Sequence, residues 1–146
     1  MTTMVGGFVG QHVLAEFEGI DSALLDDVDF LLNTLRTALH RAGATVCEVV
    51  SKRFAPQGVT VVALLSESHA SLHTYPELGS VFLDVFTCGS TANPQLAMRL
   101  LAEALDANTT RITTIQRGRP AGTRTRDGEI GDLDPAVARD EQEALR

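Results

Sequence analysis

A chain of 146 residues, 44% hydrophobic and 21% charged, has the length of one soluble domain and enough apolar material for a core without disulfides. With 19 acidic against 12 basic residues the formal charge is −7, and Lys52 is the single lysine, so no basic stripe offers itself to nucleic acid or an anionic membrane. No apolar run approaches the roughly 18 residues that span a bilayer, and the amino terminus carries no positive leader, which predicts a cytoplasmic protein.

In chain order, Gln11 to Glu18 alternates as a strand and Gly19 breaks it. Asp21 is placed to cap one long helix running to about Arg41, with Leu24, Leu25, Val28, Leu31, Leu32, Leu35, Ala38 and Leu39 on its buried face and Gly43 as its stop. Thr45 to Phe54 is a second strand, Pro56-Gln57-Gly58 a turn, and Val59 to Ser66 a third, heavily apolar strand. Cys47 reads as a buried apolar filler. Ser80 to Thr87 forms a strand, Asn93 to Ala107 an amphipathic helix with Leu96, Leu100, Leu101 and Leu105 inward, and Arg111 to Gln116 a last strand.

Short hairpins demand antiparallel pairing, so the economical packing is an α+β, two-layer sandwich: a mainly antiparallel sheet with both helices on one face. The other sheet face also carries apolar residues and needs a cover, for which a second subunit is the natural candidate. The working domain is expected over 1–118. Beyond it, 119–146 reads as a mobile tail, with at most a short helix from Ala136 to Leu145.

Chemistry concentrates in Glu67-Ser-His-Ala-Ser-Leu-His-Thr-Tyr-Pro-Glu77, followed by Asp84-Val-Phe-Thr-Cys-Gly89. One reading is a chain that makes its own cofactor. Ser68 attacks the Glu67 carbonyl, the amide becomes an ester, elimination leaves dehydroalanine, and hydrolysis yields a pyruvoyl group. That route asks for a strained junction and a positioned acid or base. His69 and His73, four apart, suggest a metal pair, yet no third ligand has matching spacing, and no metal is expected. A hydrolase triad of Ser68, His73 and Asp84 or Glu77 is a further reading, although the Gly-x-Ser-x-Gly elbow is absent. Cys88 ends a strand beside Gly89, a better place for a working thiol than that of Cys47.

Over about Gly10 to Gly118 the chain resembles the short, pyruvoyl-dependent S-adenosylmethionine decarboxylase proenzymes of bacteria and archaea. Ser66-Glu-Ser-His-Ala-Ser-Leu-His-Thr-Tyr-Pro-Glu-Leu-Gly79 and Asp84-Val-Phe-Thr-Cys-Gly89 carry the resemblance, supported by Phe54-Ala-Pro-Gln-Gly-Val59, His12-Val-Leu-Ala-Glu16 and Gly43-Ala-Thr45. It implies cleavage between Glu67 and Ser68 into 1–67 and 68–146, with Ser68 becoming the pyruvoyl group. It assigns His73 and Thr60 to processing, Cys88 to catalytic proton donation, and Phe54 and Glu77 to the adenosyl substrate. It also implies dimers of cleaved protomers with interfacial sites.

Tyr75 stands where the family commonly has tryptophan, Ala55 where it has serine or leucine, and Gln11 where it has arginine. Phe54 and Tyr75 offer aromatic faces to a sulfonium or adenine, and Glu77 offers a carboxylate to ribose hydroxyls. The implied reaction runs through a Schiff base between substrate amine and pyruvoyl ketone, releases carbon dioxide and serves polyamine, including spermidine, synthesis. Members of similar machinery acting on ornithine or arginine form the alternative, and a non-processing dimeric binding or regulatory domain the second.

Overall fold

The structure, a computed structural model, describes residues 8–119 and 139–140. In order, the elements are β1 (Phe8–Glu18), α1 (Ser22–Leu25), α2 (Val28–Arg41), β2 (Val46–Arg53), β3 (Val59–Leu65), β4 (Ser68–Tyr75), β5 (Ser80–Cys88), α3 (Pro94–Ala104), β6 (Thr109–Arg119) and β7 (Arg139–Asp140). A 3₁₀ turn, Pro76–Leu78, joins β4 to β5. The strands form one sheet in the order β2-β3-β4-β5-β1-β6-β7, antiparallel throughout. Among the described residues, no helix is long and apolar enough to cross a membrane.

Alternation decides which side of this sheet is covered. Val13, Ala15 and Phe17 of β1, Val59, Val61 and Ala63 of β3, Ala70 and Leu72 of β4, and Val81, Leu83 and Val85 of β5 are buried against Leu31, Leu35 and Leu39 of α2 and Met98 and Leu101 of α3. Both helices thus pack on one face, the expected two-layer α+β arrangement. The opposite face leaves Leu14, Val50, Leu64 and Phe82 exposed. Gly43 closes α2 at φ +86°, and a Cβ there would meet the Thr91 carbonyl oxygen at 2.5 Å, so both backbone shape and space require glycine.

Several elements depart from the sequence expectation. The long first helix is two, because Asp27 caps α2 by accepting from the Phe30 amide at 3.0 Å, and Asp26 turns away to Arg53 (2.6 Å) and the Gly58 amide (3.0 Å). The polar segment 68–75 is a full central strand, because Ala70, Leu72 and Thr74 supply a buried alternate row. Cys47 is exposed rather than buried, since β2 is an edge strand whose inner row is only partly covered. Within α3, Met98 and Ala97 are buried, whereas Leu96 and Leu100 are only partly so. β6 runs on to Arg119, where Gly118 passes so close to the Phe8 carbonyl that a Cβ would sit 1.9 Å from its oxygen. The expected tail lies outside the described residues except for Arg119, which ends β6, and Arg139–Asp140, which pair with Thr114 and Thr113 as a strand instead of continuing a helix.

Candidate functional site

The Glu67–Ser68 bond lies in the tight link between β3 and β4, at one end of two central strands. Glu67 is held at both ends. Its carboxylate accepts from the Thr45 amide at 3.2 Å, and its carbonyl oxygen accepts from the Cys88 amide at 3.1 Å. The second contact matters chemically, because an N–H aimed at this carbonyl also stabilises negative charge on its oxygen if the carbon is attacked. Ser68 has φ 159°, essentially extended, so the junction is not held in the left-handed region, and the expected strain is not visible in its backbone.

Register assembles the surroundings of Ser68 on the uncovered face. His69 of β4 lies opposite Phe86 of β5, which lies opposite His12 of β1. Two pairs along, on the same face, Ser71 lies opposite Asp84. Asp84 Oδ2 is 2.8 Å from His12 Nε2 and 3.1 Å from His69 Nε2, and its Oδ1 accepts from the Ser71 hydroxyl. The other ring nitrogens point outward along the network: His69 Nδ1 is 3.3 Å from Ser68 Oγ, and His12 Nδ1 is 3.4 Å from Arg117 Nη1. The Arg117 guanidinium also lies over the Phe86 ring, 4.5 Å from its centroid. Burial pushes the Asp84 carboxyl up, but the hydrogen bonds from Ser71, His12 and His69, joined by the attraction of the His69 ring when it is protonated, hold it below the ordinary carboxylate range.

Cys88 ends β5, partly buried, opposite Gly10. A Cβ on Gly10 would lie 3.1 Å from the Cys88 sulfur and 2.7 Å from the Phe86 ring, so this glycine keeps room for the thiol. An open cleft of about 630 Å³, bordered by Gln11, Gly89, Asn93 and Gln95, adjoins this end of the sheet.

His73 and Thr60 sit elsewhere. They lie opposite one another on β4 and β3, Thr60 Oγ1 3.0 Å from His73 Nδ1. Five residues of extended strand separate His73 from Ser68, about 17 Å. Tyr75 packs against Phe82 with the rings tilted, 5.2 Å between centroids, at the same far end. Phe54 is exposed just after β2, and Glu77 lies in the 3₁₀ turn. One protomer therefore holds Ser68 and Cys88 at one end of the open face, and His73, Thr60 and Tyr75 at the other. His69 and His73 do not converge as a pair, and the histidine that meets Ser68 and Asp84 is His69.

The roles of His12, Ser71, Phe86 and Arg117, and which of His69 and His73 meets Ser68, did not emerge from the linear sequence. The only available hint was polar residues on alternate positions of Ser68–Tyr75, and the partners across the strands depend on register.

Comparison with known proteins agrees with this architecture. A family model described as S-adenosylmethionine decarboxylase matches residues 11–118. The S-adenosylmethionine decarboxylase proenzyme of Prochlorococcus marinus (strain MIT 9313) is 46% identical over 117 residues, covering 80% of this chain and 94% of that protein. The proenzyme of Brevibacillus brevis is 45% identical over 109 residues, covering 75% of this chain and 82% of its own. The crystal structure of the adenosylmethionine decarboxylase from Aquifex aeolicus matches with a TM-score of 0.69 at 31% identity, covering 84% of this chain and 99% of that one.

Proposed function

The chain belongs to the S-adenosylmethionine decarboxylase family and is an enzyme of that kind, and we propose on this footing that it cuts itself between Glu67 and Ser68, converts Ser68 into a pyruvoyl group and decarboxylates S-adenosylmethionine. The observation that carries the reading is the junction itself. The Ser68 hydroxyl stands beside an imidazole nitrogen, and the carbonyl it would attack already accepts a backbone N–H from Cys88. Nucleophile, proton acceptor and oxyanion donor are the parts an acyl shift needs.

Once formed, a pyruvoyl group supplies an electron-withdrawing carbonyl that accepts the electrons left behind when carbon dioxide departs. The chain's own residues do the rest. Cys88 Sγ, with space kept by Gly10, donates a proton to the former α-carbon, and its placement selects that carbon over a wrong one. Phe54 and Tyr75 present aromatic faces to the sulfonium or adenine, an attraction of roughly 0.5–2 kcal/mol. Glu77 accepts from the ribose hydroxyls. The two free cysteines accord with a reducing, cytoplasmic setting.

We further infer that the working unit is a homodimer joined through the open sheet face. Leu14, Val50, Leu64 and Phe82 are apolar and exposed there. A two-fold axis across that face would lay the His73 and Thr60 end of one copy over the Ser68 end of the other, which gives the processing role of His73 and Thr60 a physical route despite their distance within one chain.

Intact-mass measurement of purified protein over time, followed by carbon dioxide release from S-adenosylmethionine, ornithine, arginine and lysine, tests the reading. The expectation is two fragments, the larger beginning with a carbonyl-capped residue 68, and release from S-adenosylmethionine alone. An intact Ser68→Ala chain is the control. Wild-type chain that stays whole would refute self-processing, and release from ornithine or arginine instead would refute the substrate.

A further inference from the structure

We propose that His69 is the base that takes the Ser68 hydroxyl proton during self-cleavage, with Asp84, His12 and Arg117 fixing which of its nitrogens is free to do so. This rests on the self-processing reading above and adds to it a residue that touches the reacting atom within the same chain.

The assignment follows from donors and acceptors. Arginine has only N–H donors, so the 3.4 Å contact from Arg117 makes His12 Nδ1 an acceptor. The proton of a neutral His12 is then on Nε2, where it is donated to Asp84 Oδ2 at 2.8 Å. Asp84, accepting from Ser71 as well, is held as a carboxylate, an acceptor only. The 3.1 Å contact to the same oxygen therefore places a proton on His69 Nε2 too. A neutral His69 is left with its Nδ1 lone pair facing Ser68 Oγ at 3.3 Å. A hydroxyl facing an imidazole lone pair, with a carboxylate behind the opposite ring nitrogen, is the arrangement that makes serine a nucleophile.

The step balances without another reagent. As Ser68 Oγ bonds to the Glu67 carbonyl carbon, its proton moves to His69 Nδ1, and the developing oxyanion is met by the Cys88 N–H. When the Glu67–Ser68 C–N bond breaks, the same proton passes from Nδ1 to the Ser68 nitrogen. The products are an ester and a free amine, and His69 ends neutral. While it carries the proton, His69 is an imidazolium against Asp84, as the hydroxyl-to-amine transfer requires.

The charged and titratable groups around His69 are Asp84 and Cys88 from β5, His12 from β1, Arg117 from β6 beyond His12, and Glu67 preceding Ser68. β3 contributes the apolar Leu64 opposite it. Among the described residues, Asp84 is the carboxylate hydrogen-bonded to the ring, so its removal takes away the group that fixes the Nε2 proton and faces the positive ring formed while His69 carries the serine proton.

The test is the rate of precursor cleavage, followed by intact mass from pH 5 to 9, for wild type, His69→Ala, His69→Gln and Asp84→Asn. We expect His69→Ala to cut at least about 100-fold more slowly, with added imidazole restoring part of the rate. His69→Gln keeps an N–H for Asp84 but offers no base, and should fold with an unchanged thermal midpoint and stay uncut. Asp84→Asn should cut more slowly than wild type across this range, because the ring loses the carboxylate that fixes its tautomer. Cleavage of either His69 variant within about 3-fold of wild type would overturn the proposal, as would an Asp84→Asn profile superimposable on wild type. If wild type itself stays whole, the self-processing reading fails first, so the two failures are distinguishable.

Discussion

Replacing Asp84 with Asn in an uncleavable Ser68→Ala background isolates what this carboxylate contributes to the fold, because every molecule is then the same intact chain. The side chain is 22% exposed and accepts from Ser71, from His12 at 2.8 Å and from His69 at 3.1 Å. Hydrogen bonds to a charged group contribute roughly 1.5–3 kcal/mol each. Burial is the largest influence on this carboxyl and opposes its charge, offsetting much of three such bonds. We expect a net loss of about 2–3 kcal/mol at pH near 5.5. The loss must then depend on pH in a defined direction. A carboxyl depressed in the folded state stabilises the fold above its unfolded value, roughly 3.9, and that contribution vanishes as pH falls through the folded value. Urea titrations followed by circular dichroism from about pH 5.5 to 2.5, at one protein concentration, should show the gap between the two variants narrowing in acid. A gap of constant size would mean that the carboxylate's charge adds nothing to the fold. A gap that widens in acid would reverse the sign of the argument.

Cys88→Ala leaves the main-chain N–H on Glu67 in place, so it should cleave normally yet turn over at least about 100-fold more slowly or lose its pyruvoyl group to transamination; normal turnover with a stable cofactor would remove Cys88 from the mechanism. Leu64→Asp puts a charge on the open face, where Leu64 is exposed, and would remove one leucine per copy from the proposed two-fold interface. At roughly 1.5–3 kcal/mol per buried leucine it should weaken dimerisation by 100-fold or more in sedimentation, and an unchanged dimer would place the interface elsewhere. Thr74→Val keeps the shape but removes the hydroxyl that accepts from the Val59 amide at 2.8 Å and donates to the Leu25 carbonyl at 2.6 Å. Chemical denaturation should show a loss of about 1–3 kcal/mol, because both buried backbone groups lose a partner.

How much of this was legible before the structure depends on the range of the interaction concerned. Gly43, Asn93 and the alternation of Gln11–Glu18 act within a few residues, and each does what its neighbours in sequence imply. The break at Asp26–Asp27 was hidden because Asp26 is satisfied by Arg53 and Gly58 from another strand, and the helical spacing of the leucines continues across the gap. β4 was hidden for a related reason, since its apolar row is only Ala70, Leu72 and Thr74 and its other row is written in groups that suggest chemistry. The site shows the same limit more sharply. Ser68, Cys88 and Asp84 stand out by type, but nothing in a linear reading says that His69 rather than His73 reaches Ser68. Adjacent residues on a strand point to opposite faces, which argues against His69, whereas the end of a strand lets Ser68 Oγ turn toward its neighbour's ring. Register then decides the rest: with Ser68 paired to Thr87, His69 falls level with Phe86 and His12, and His73 falls level with Phe82 and Glu16. Any role of His73 at Ser68 must therefore cross from another copy, while that of His69 is available as soon as one chain has folded. The two histidines consequently predict different concentration dependence: a step limited by His69 alone proceeds at the same rate in dilute protein, and one that needs His73 slows once the dimer dissociates.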